Sequence, residues 1–309
     1  MRQRLSPADS ECSKERFGLL GKLPETPLFP FEKYGGIDLF IKFEGANPSL
    51  CLKTRSAANI LQKMESRHEL SSDKTIIDAS SGSFGGALAW VAAILGYRCT
   101  IVGSSKMVPE AETLIASLGA EVIRVGSITR HGYEYVSELV AADPGAWAFT
   151  DQLNNPDNAG AYLQLGREIH QQLPEVSAVV ASAGTGGSLC GVARYVKAYQ
   201  PDTLVVAAVA KDGERINGTY EKDDYWTPFL EELFNGADGK PALADHKIAV
   251  DKATAMANMR EMVRRGAMTG LSAGGVLDAA RRAIDVGVIA QGPVVMICGD
   301  SIIKNLSRL

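Results

Sequence analysis

Lys53 stands in Asn47-Pro48-Ser49-Leu50-Cys51-Leu52-Lys53-Thr54-Arg55, at the start of a helix-like stretch. Its apolar neighbours Leu50, Cys51 and Leu52 are the kind of surroundings that turn a lysine amine into a nucleophile. Far along the chain, Gly184-Thr185-Gly186-Gly187-Ser188 lies between a strand-like and a helix-like run. Glycines let the backbone approach a ligand and take positive φ. The helix that follows adds unpaired N–H groups and the positive end of its dipole, and Thr185 and Ser188 add hydroxyl donors. An amine on a rigid element and a cradle for phosphate point together to a cofactor that carries both an aldehyde and a phosphate. Alone, the loop also fits a nucleotide or a turn with no ligand, but no Walker-type lysine follows it.

Three further segments have chemistry-bearing residues at element ends. Ser80-Ser81-Gly82-Ser83-Phe84-Gly85 joins a strand to an apolar helix, a geometry that suits a carboxylate. Gln152-Leu153-Asn154-Asn155-Pro156-Asp157-Asn158 reads by itself as a turn with a helix N-cap at Asn155 or Asp157. Thr269-Gly270-Leu271-Ser272-Ala273-Gly274-Gly275 reads by itself as a glycine-rich entry to a packed helix. Arg215 lies in a poorly patterned stretch and reads as a surface residue, or as a partner for a phosphate leaving group.

The elements that must position these residues alternate. Short apolar strands are expected at 38–43, 75–79, 99–102, 121–125, 146–149, 177–181, 203–209 and 293–298. Helices are expected at 53–67, 87–95, 107–118, 131–142, 157–172, 188–199, 252–266 and 275–287. Alternating strands and helices imply an α/β fold of two domains, each a mostly parallel twisted sheet with helices on both faces. The smaller domain is expected to span 45–150, with Lys53 and the Ser80–Gly85 loop. The larger is expected to combine 1–44 and 151–309, with the phosphate loop. Residues 1–27, broken by Pro7, Pro24 and Pro27, read as an arm, and residues 211–247 fit no simple pattern.

Composition narrows the class. Of 309 residues, 46% are hydrophobic and 22% charged, as in ordinary globular proteins. A net charge of −4 gives no footprint for nucleic acid or an anionic membrane. The four histidines show no metal-ligand spacing, and the five cysteines form no CxxC pair, which suits reduced thiols in the cytoplasm. The N-terminus does not read as a signal peptide, and no run of about 18 apolar residues offers a membrane span.

The order of these motifs resembles the cysteine synthase / cystathionine β-synthase family, the fold-type II pyridoxal phosphate (PLP) enzymes with a tryptophan synthase β-like fold. Asn47, Pro48, Lys53 and Arg55 match that family's Schiff-base lysine motif, with Thr54 where Asp is usual. Gly184, Thr185, Gly186, Gly187 and Ser188 match its PLP phosphate loop. Ser80, Ser81, Gly82, Ser83, Phe84 and Gly85 resemble its Thr-Ser-Gly-Asn-Thr-Gly loop for the substrate carboxylate. Here Ser83 replaces the Asn that contacts the cofactor, and Phe84 replaces a carboxylate-binding Thr. Gln152 matches a Gln near that carboxylate, and Ser272 a Ser at the pyridine nitrogen. The resemblance implies PLP as cofactor, an amino-acid substrate, a homodimer, and β-elimination or β-replacement on an O-activated L-serine. O-acetylserine or O-phosphoserine would be the donor, and a thiol, sulfide or amine the acceptor. A serine or threonine dehydratase, an amino-acid racemase, and a catalytically idle homologue that binds a partner remain alternatives.

Overall fold

The structure, a computed structural model, describes Leu20 and residues 23–216, 218–220 and 225–308. Most of the expected arm, with Cys12, lies outside the described residues. The chain divides into two compact units. Among the described residues, one comprises Leu20, Leu23, Pro24 and Lys53–Asp157, and the other Glu25–Leu52 and the described part of Asn158–Leu309. The chain therefore changes unit after Leu52 and after Asp157, several residues beyond the expected positions 45 and 150. Local bonding accounts for both offsets. Cys51 bridges Asp300, within the second unit. The amide N–H of Gln152 donates to Asp78, within the first, at 3.0 Å.

The first unit is built on a four-stranded parallel sheet in the order β5-β4-β3-β6. Its strands are β3 (Thr75–Ala79), β4 (Arg98–Gly103), β5 (Glu121–Arg124) and β6 (Trp147–Phe149), and its main helices α1 (Lys53–Ser66), α2 (Ser83–Leu95), α3 (Pro109–Ser117) and α4 (Thr129–Ala142). Side chains alternate between the two faces of a strand. Ile77, Ala79 and Val102 accordingly pack with Val136 of α4. Ile101 lies on the other face, where a Cβ at Gly85 of α2 would come within 2.8 Å of its methyl.

The second unit holds a six-stranded sheet in the order β1-β2-β10-β7-β8-β9. A hairpin supplies β1 (Leu28–Tyr34) and β2 (Ile37–Phe43), turning through Gly35 and Gly36 at φ 55° and 84°, which the tight reversal requires. The parallel strands are β7 (Ala178–Ser182), β8 (Leu204–Ala210), β9 (His246–Val250) and β10 (Val294–Cys298). Along β7, Ala178 and Val180 face one core with α9 (Lys252–Arg264) and α10 (Leu271–Asp285). Val179 and Ala181 face another, with α6 (Leu163–Gln172), α7 (Gly187–Tyr199) and α8 (Pro228–Phe234). The short α5 (Pro156–Gly160) precedes α6 where one helix was expected over 157–172. The amine of Lys42 is buried against Glu168 at 2.9 Å and donates to Thr26 O at 2.7 Å, which ties β2 to α6.

Strands β1 and β9 and helix α8 are absent from the sequence-based expectation. β1 is an edge strand with a register shift between Pro30 and Glu32, so its sequence shows no clean alternation.

Helices α9 and α10 pack with almost no space at Gly274. A Cβ there would lie 1.9 Å from Ala255 O and 2.7 Å from Met259 N. Gly274→Ala is expected to destabilise the protein by about 1–3 kcal/mol, the usual range for overpacking. Thermal melts check this; an unchanged midpoint would contradict the close approach.

Candidate active site

In the second unit, the segment that leads to Lys53 is held on both sides. Glu44 is buried and accepts from Thr26 Oγ1 at 2.5 Å and Asn47 Nδ2 at 2.9 Å. Leu50 N–H donates to Asn47 O at 2.7 Å, closing a turn in which Leu50 takes φ 62°. A non-glycine residue there is strained and persists only when its surroundings hold it. Ser301 N–H donates to Leu50 O at 3.0 Å, and Leu52 N–H to Gly299 O at 2.8 Å. Lys53 follows immediately, as the first residue of α1.

The Gly184–Ser188 loop connects β7 to α7 in the same unit. Gly186 takes φ 85°, and no side chain caps the helix start. The first N–H groups of α7 are therefore left for a ligand. The loop is closed from behind. A Cβ on Gly184 would meet Gly218 O at 2.9 Å, one on Gly186 would meet Leu230 N at 3.0 Å, and one on Gly187 would meet Asn158 Nδ2 at 2.8 Å. Thr227 Oγ1 donates to Thr185 O at 2.6 Å and accepts from Leu230 N, so the start of α8 braces the loop. Thr185 Oγ1 is buried and has no hydrogen-bond partner. A buried hydroxyl without a partner is costly, and phosphate oxygens would satisfy it. A small pocket beside the loop is lined by Ser182, Ser188, Leu52 and Gly299, among others.

Ser272, the second residue of α10, is 5% exposed. A Cβ on Gly218, at φ 87°, would lie 3.7 Å from Ser272 Oγ and 4.0 Å from Ser182 Oγ. The structure thus brings Ser272, Ser182 and the phosphate-type loop together around Gly218. Sequence reasoning missed Gly218, Ser182 and Thr227. A glycine and a threonine at the two ends of 218–227 were the available signals, obscured by the acids and aromatics between them.

In the first unit, the Ser80–Gly85 loop joins β3 to α2. Ser80 is 4% exposed, and its Oγ accepts from Gly85 N–H at 3.0 Å and Gly82 N–H at 3.4 Å, so it organises the turn. Ser81 Oγ accepts from Ser104 N–H at 2.7 Å. Ser83 opens α2 after Gly82, and Ser80 Oγ takes the Gly85 N–H of its first turn. The Phe84 ring is 2% exposed. Gln152 is brought to the same place: its Nε2 donates to Ala79 O, next to Ser80, at 2.9 Å. Serine hydroxyls, loop N–H groups and an amide thus meet at one strand end, as a carboxylate site requires. No cluster of His, Cys, Asp or Glu suited to a metal ion occurs among the described residues. No helix there is long and apolar enough to cross a membrane.

The family model described as "Pyridoxal-phosphate dependent enzyme" matches residues 19–300. Cysteine synthase B of Escherichia coli (strain K12) is 33% identical over 266 residues, covering 83% of this chain and 84% of its own. A cysteine synthase of Haemophilus influenzae is 30% identical over 304 residues, covering 91% of this chain and 93% of its own. Among solved structures, a hydrogen sulfide-producing enzyme from Fusobacterium nucleatum matches with a TM-score of 0.83 at 24% identity, over 93% of this chain and 97% of that one. O-ureido-L-serine synthase matches with a TM-score of 0.82 at 23% identity, over 94% and 93%. At these identities the two structures bear on the fold alone.

The cradle itself can be tested. Gly186→Asp places a Cβ and a carboxylate where a phosphate dianion would approach the backbone, at a φ that side chains rarely adopt. The variant is expected to lose bound PLP, read as absorbance after gel filtration, with circular dichroism to confirm folding. Undiminished PLP in a folded variant would show that the loop does not hold the phosphate.

Proposed function

The chain belongs to the pyridoxal-phosphate dependent enzyme family, and we propose that it performs β-replacement on an O-activated L-serine in the manner of a cysteine synthase. The donor is O-acetyl-L-serine or O-phospho-L-serine, and the acceptor a sulfide, thiol or amine. The buried, unpartnered Thr185 hydroxyl in an uncapped glycine loop is the observation that carries the cofactor assignment. The cysteine synthase relatives support the reaction class.

When bound, PLP supplies an aldehyde carbon for amine exchange and a ring that draws electrons from the substrate's Cα–H bond. The protein's part follows from its residues. The N–H groups of Gly184–Ser188, with the hydroxyls of Thr185 and Ser188, hold the phosphate. Lys53 Nζ is the amine that would hold the cofactor's aldehyde, and a substrate amine would release it. The freed Nζ then takes the Cα proton as general base. Ser83, the first residue of α2, stands where the family's loop has the Asn that contacts the cofactor. Ser272 would offer the ring nitrogen a neutral hydroxyl, which favours its protonated form less than an aspartate would. A weaker electron sink favours expulsion of a β-leaving group over a long-lived carbanion.

Ser80, Ser81, Gly82 and Gln152 receive the substrate carboxylate. Ser80 acts through the shape it gives the loop. Phe84 has no donor to offer and is buried, so backbone N–H groups and the Ser81 hydroxyl serve at that point.

Purified enzyme with sulfide and each donor in turn is expected to form cysteine from one of them. Lys53→Ala is expected to lose the visible cofactor absorbance and at least about a thousandfold in rate, within the range of general-base catalysis. Deamination of L-serine to pyruvate, with neither donor consumed, would replace this reading by a dehydratase. Wild-type protein that takes up no PLP would favour the idle homologue.

A further inference from the structure

One buried acid lies beside the candidate carboxylate site and has no part in the chemistry above. Asp78 is the fourth residue of β3, two before Ser80, and is 0% exposed. Its Oδ2 accepts from the Thr150 hydroxyl and, at 3.0 Å, from Gln152 N–H. Its Oδ1 is buried and has no partner. Gln152 returns the contact, donating from Nε2 to Ala79 O at 2.9 Å. Asn155 Nδ2 donates to Thr150 O at 3.0 Å, and Asp151 between them takes φ 46°. A strained turn is thus fastened to the end of β3 by one carboxyl group and one amide.

The strand registers show which side of the sheet the carboxyl occupies. Asp78 pairs with Ile101, and Gly85 of α2 packs against Ile101. Asp78 therefore shares the face that α2 covers. Helix α2 and strand β6 bring no charged residue to it. From β4 comes the Cys99 thiol, while Arg98 points to the other face, is exposed and donates to Asp73 O. Beside α2, helix α1 carries Lys53, Arg55, Lys63 and Glu65, and α3 carries Glu110 and Glu112. On the opposite face, α4 carries Arg130, His131, Tyr133, Glu134, Tyr135 and Glu138. The charge that acts most on Asp78 is that of Asp151, another acid.

We propose that Asp78 is a positioning residue for the reaction: its buried carboxyl clamps Thr150 and the Gln152 backbone to the end of β3, and so sets where Gln152 and the Ser80–Gly85 loop present their donors to the substrate carboxylate. The proposal rests on the reading of Gln152 and that loop as the carboxylate site. A clamp placed there acts on substrate binding and orientation, where small displacements are amplified in rate.

The clamp also titrates. Burial pushes the Asp78 carboxyl up to about 7, against the pull of Thr150 and the Gln152 N–H. A carboxyl raised in the folded state keeps its proton where the unfolded chain would release it. Its contribution makes stability fall as pH rises from the ordinary aspartate range, near 3.8, through about 7, and level off above. Asp78→Asn removes that slope. Its carbonyl can still accept from Thr150 and Gln152 N–H.

The test compares Asp78→Ala, Asp78→Asn and Gln152→Ala in the PLP-loaded enzyme, with O-acetyl-L-serine, O-phospho-L-serine and sulfide. Asp78→Ala is expected to raise the donor KM about tenfold or more, with cofactor absorbance retained. Asp78→Asn is expected to recover most of that loss and to flatten the pH dependence of kcat/KM and of the melting midpoint around pH 7. A folded Asp78→Ala enzyme with wild-type KM, while Gln152→Ala raises it, would overturn the clamp alone. Wild-type KM in both Gln152→Ala and Ser81→Ala would overturn the carboxylate site and the clamp with it. If Asp78→Ala does not fold, Thr150→Val removes one arm of the clamp and leaves the carboxyl. It too is expected to raise KM, and an unchanged KM would overturn the proposal.

Discussion

The close approach of backbone to backbone around the Gly184–Ser188 loop is the constraint on which the second unit is arranged. Gly184, Gly186 and Gly187 have almost no space for a Cβ, because Gly218, Leu230 and Asn158 stand within about 3 Å of where one would be. Packing from behind forces the loop's N–H groups toward the open side, at the uncapped start of α7. The same packing explains why 218–220 and 225–230 lie where they do. Tyr220 N–H donates to Ala183 O at 2.6 Å, Thr227 holds Thr185, and Gly218 leaves space beside Ser272. An anion site made of main-chain groups needs no charged side chain, and its donors are fixed before the ligand arrives.

The first unit answers a different demand by a different means. Its loop at the end of β3 is shaped by side chains. Ser80 accepts two N–H groups of its own turn, Ser104 N–H holds Ser81, and Asp78 fastens the segment that contains Gln152. Organisers that are side chains leave the loop tunable by single substitutions. Ser83 and Phe84 are such substitutions relative to the cysteine synthase pattern. The Phe84 ring is buried. This residue therefore adds to the packed apolar surface and has no side-chain donor.

Much of this was legible in the sequence, for identifiable reasons. Glycine at strand-to-helix junctions marks close backbone approach, so Gly184–Ser188 could be recognised before any coordinates. The short apolar runs at 75–79, 99–102 and 177–181 marked strands buried on both faces, as parallel strands are, and their helices followed from spacing. Strand β1 escaped because Pro30 and a register shift hide its period, and α8 because only seven residues form it. Gly218 and Thr227 escaped because their roles depend on contacts with Ser272 and Thr185, far away in the chain. Asp78 escaped for the opposite reason. One acid in an apolar strand has no sequence signature beyond its presence, and only burial and the bonds to Thr150 and Gln152 show what it holds.

The central claim is that Lys53 is the amine that carries the cofactor, held at the end of a strained and doubly bonded segment. Borohydride reduction of the PLP-loaded protein, followed by peptide mapping, tests this most directly, because reduction fixes the pyridoxyl group to whichever amine holds it. The account predicts a single modified peptide, with the phosphopyridoxyl group on Lys53. Modification at another lysine, or PLP bound without any reducible link, would contradict it.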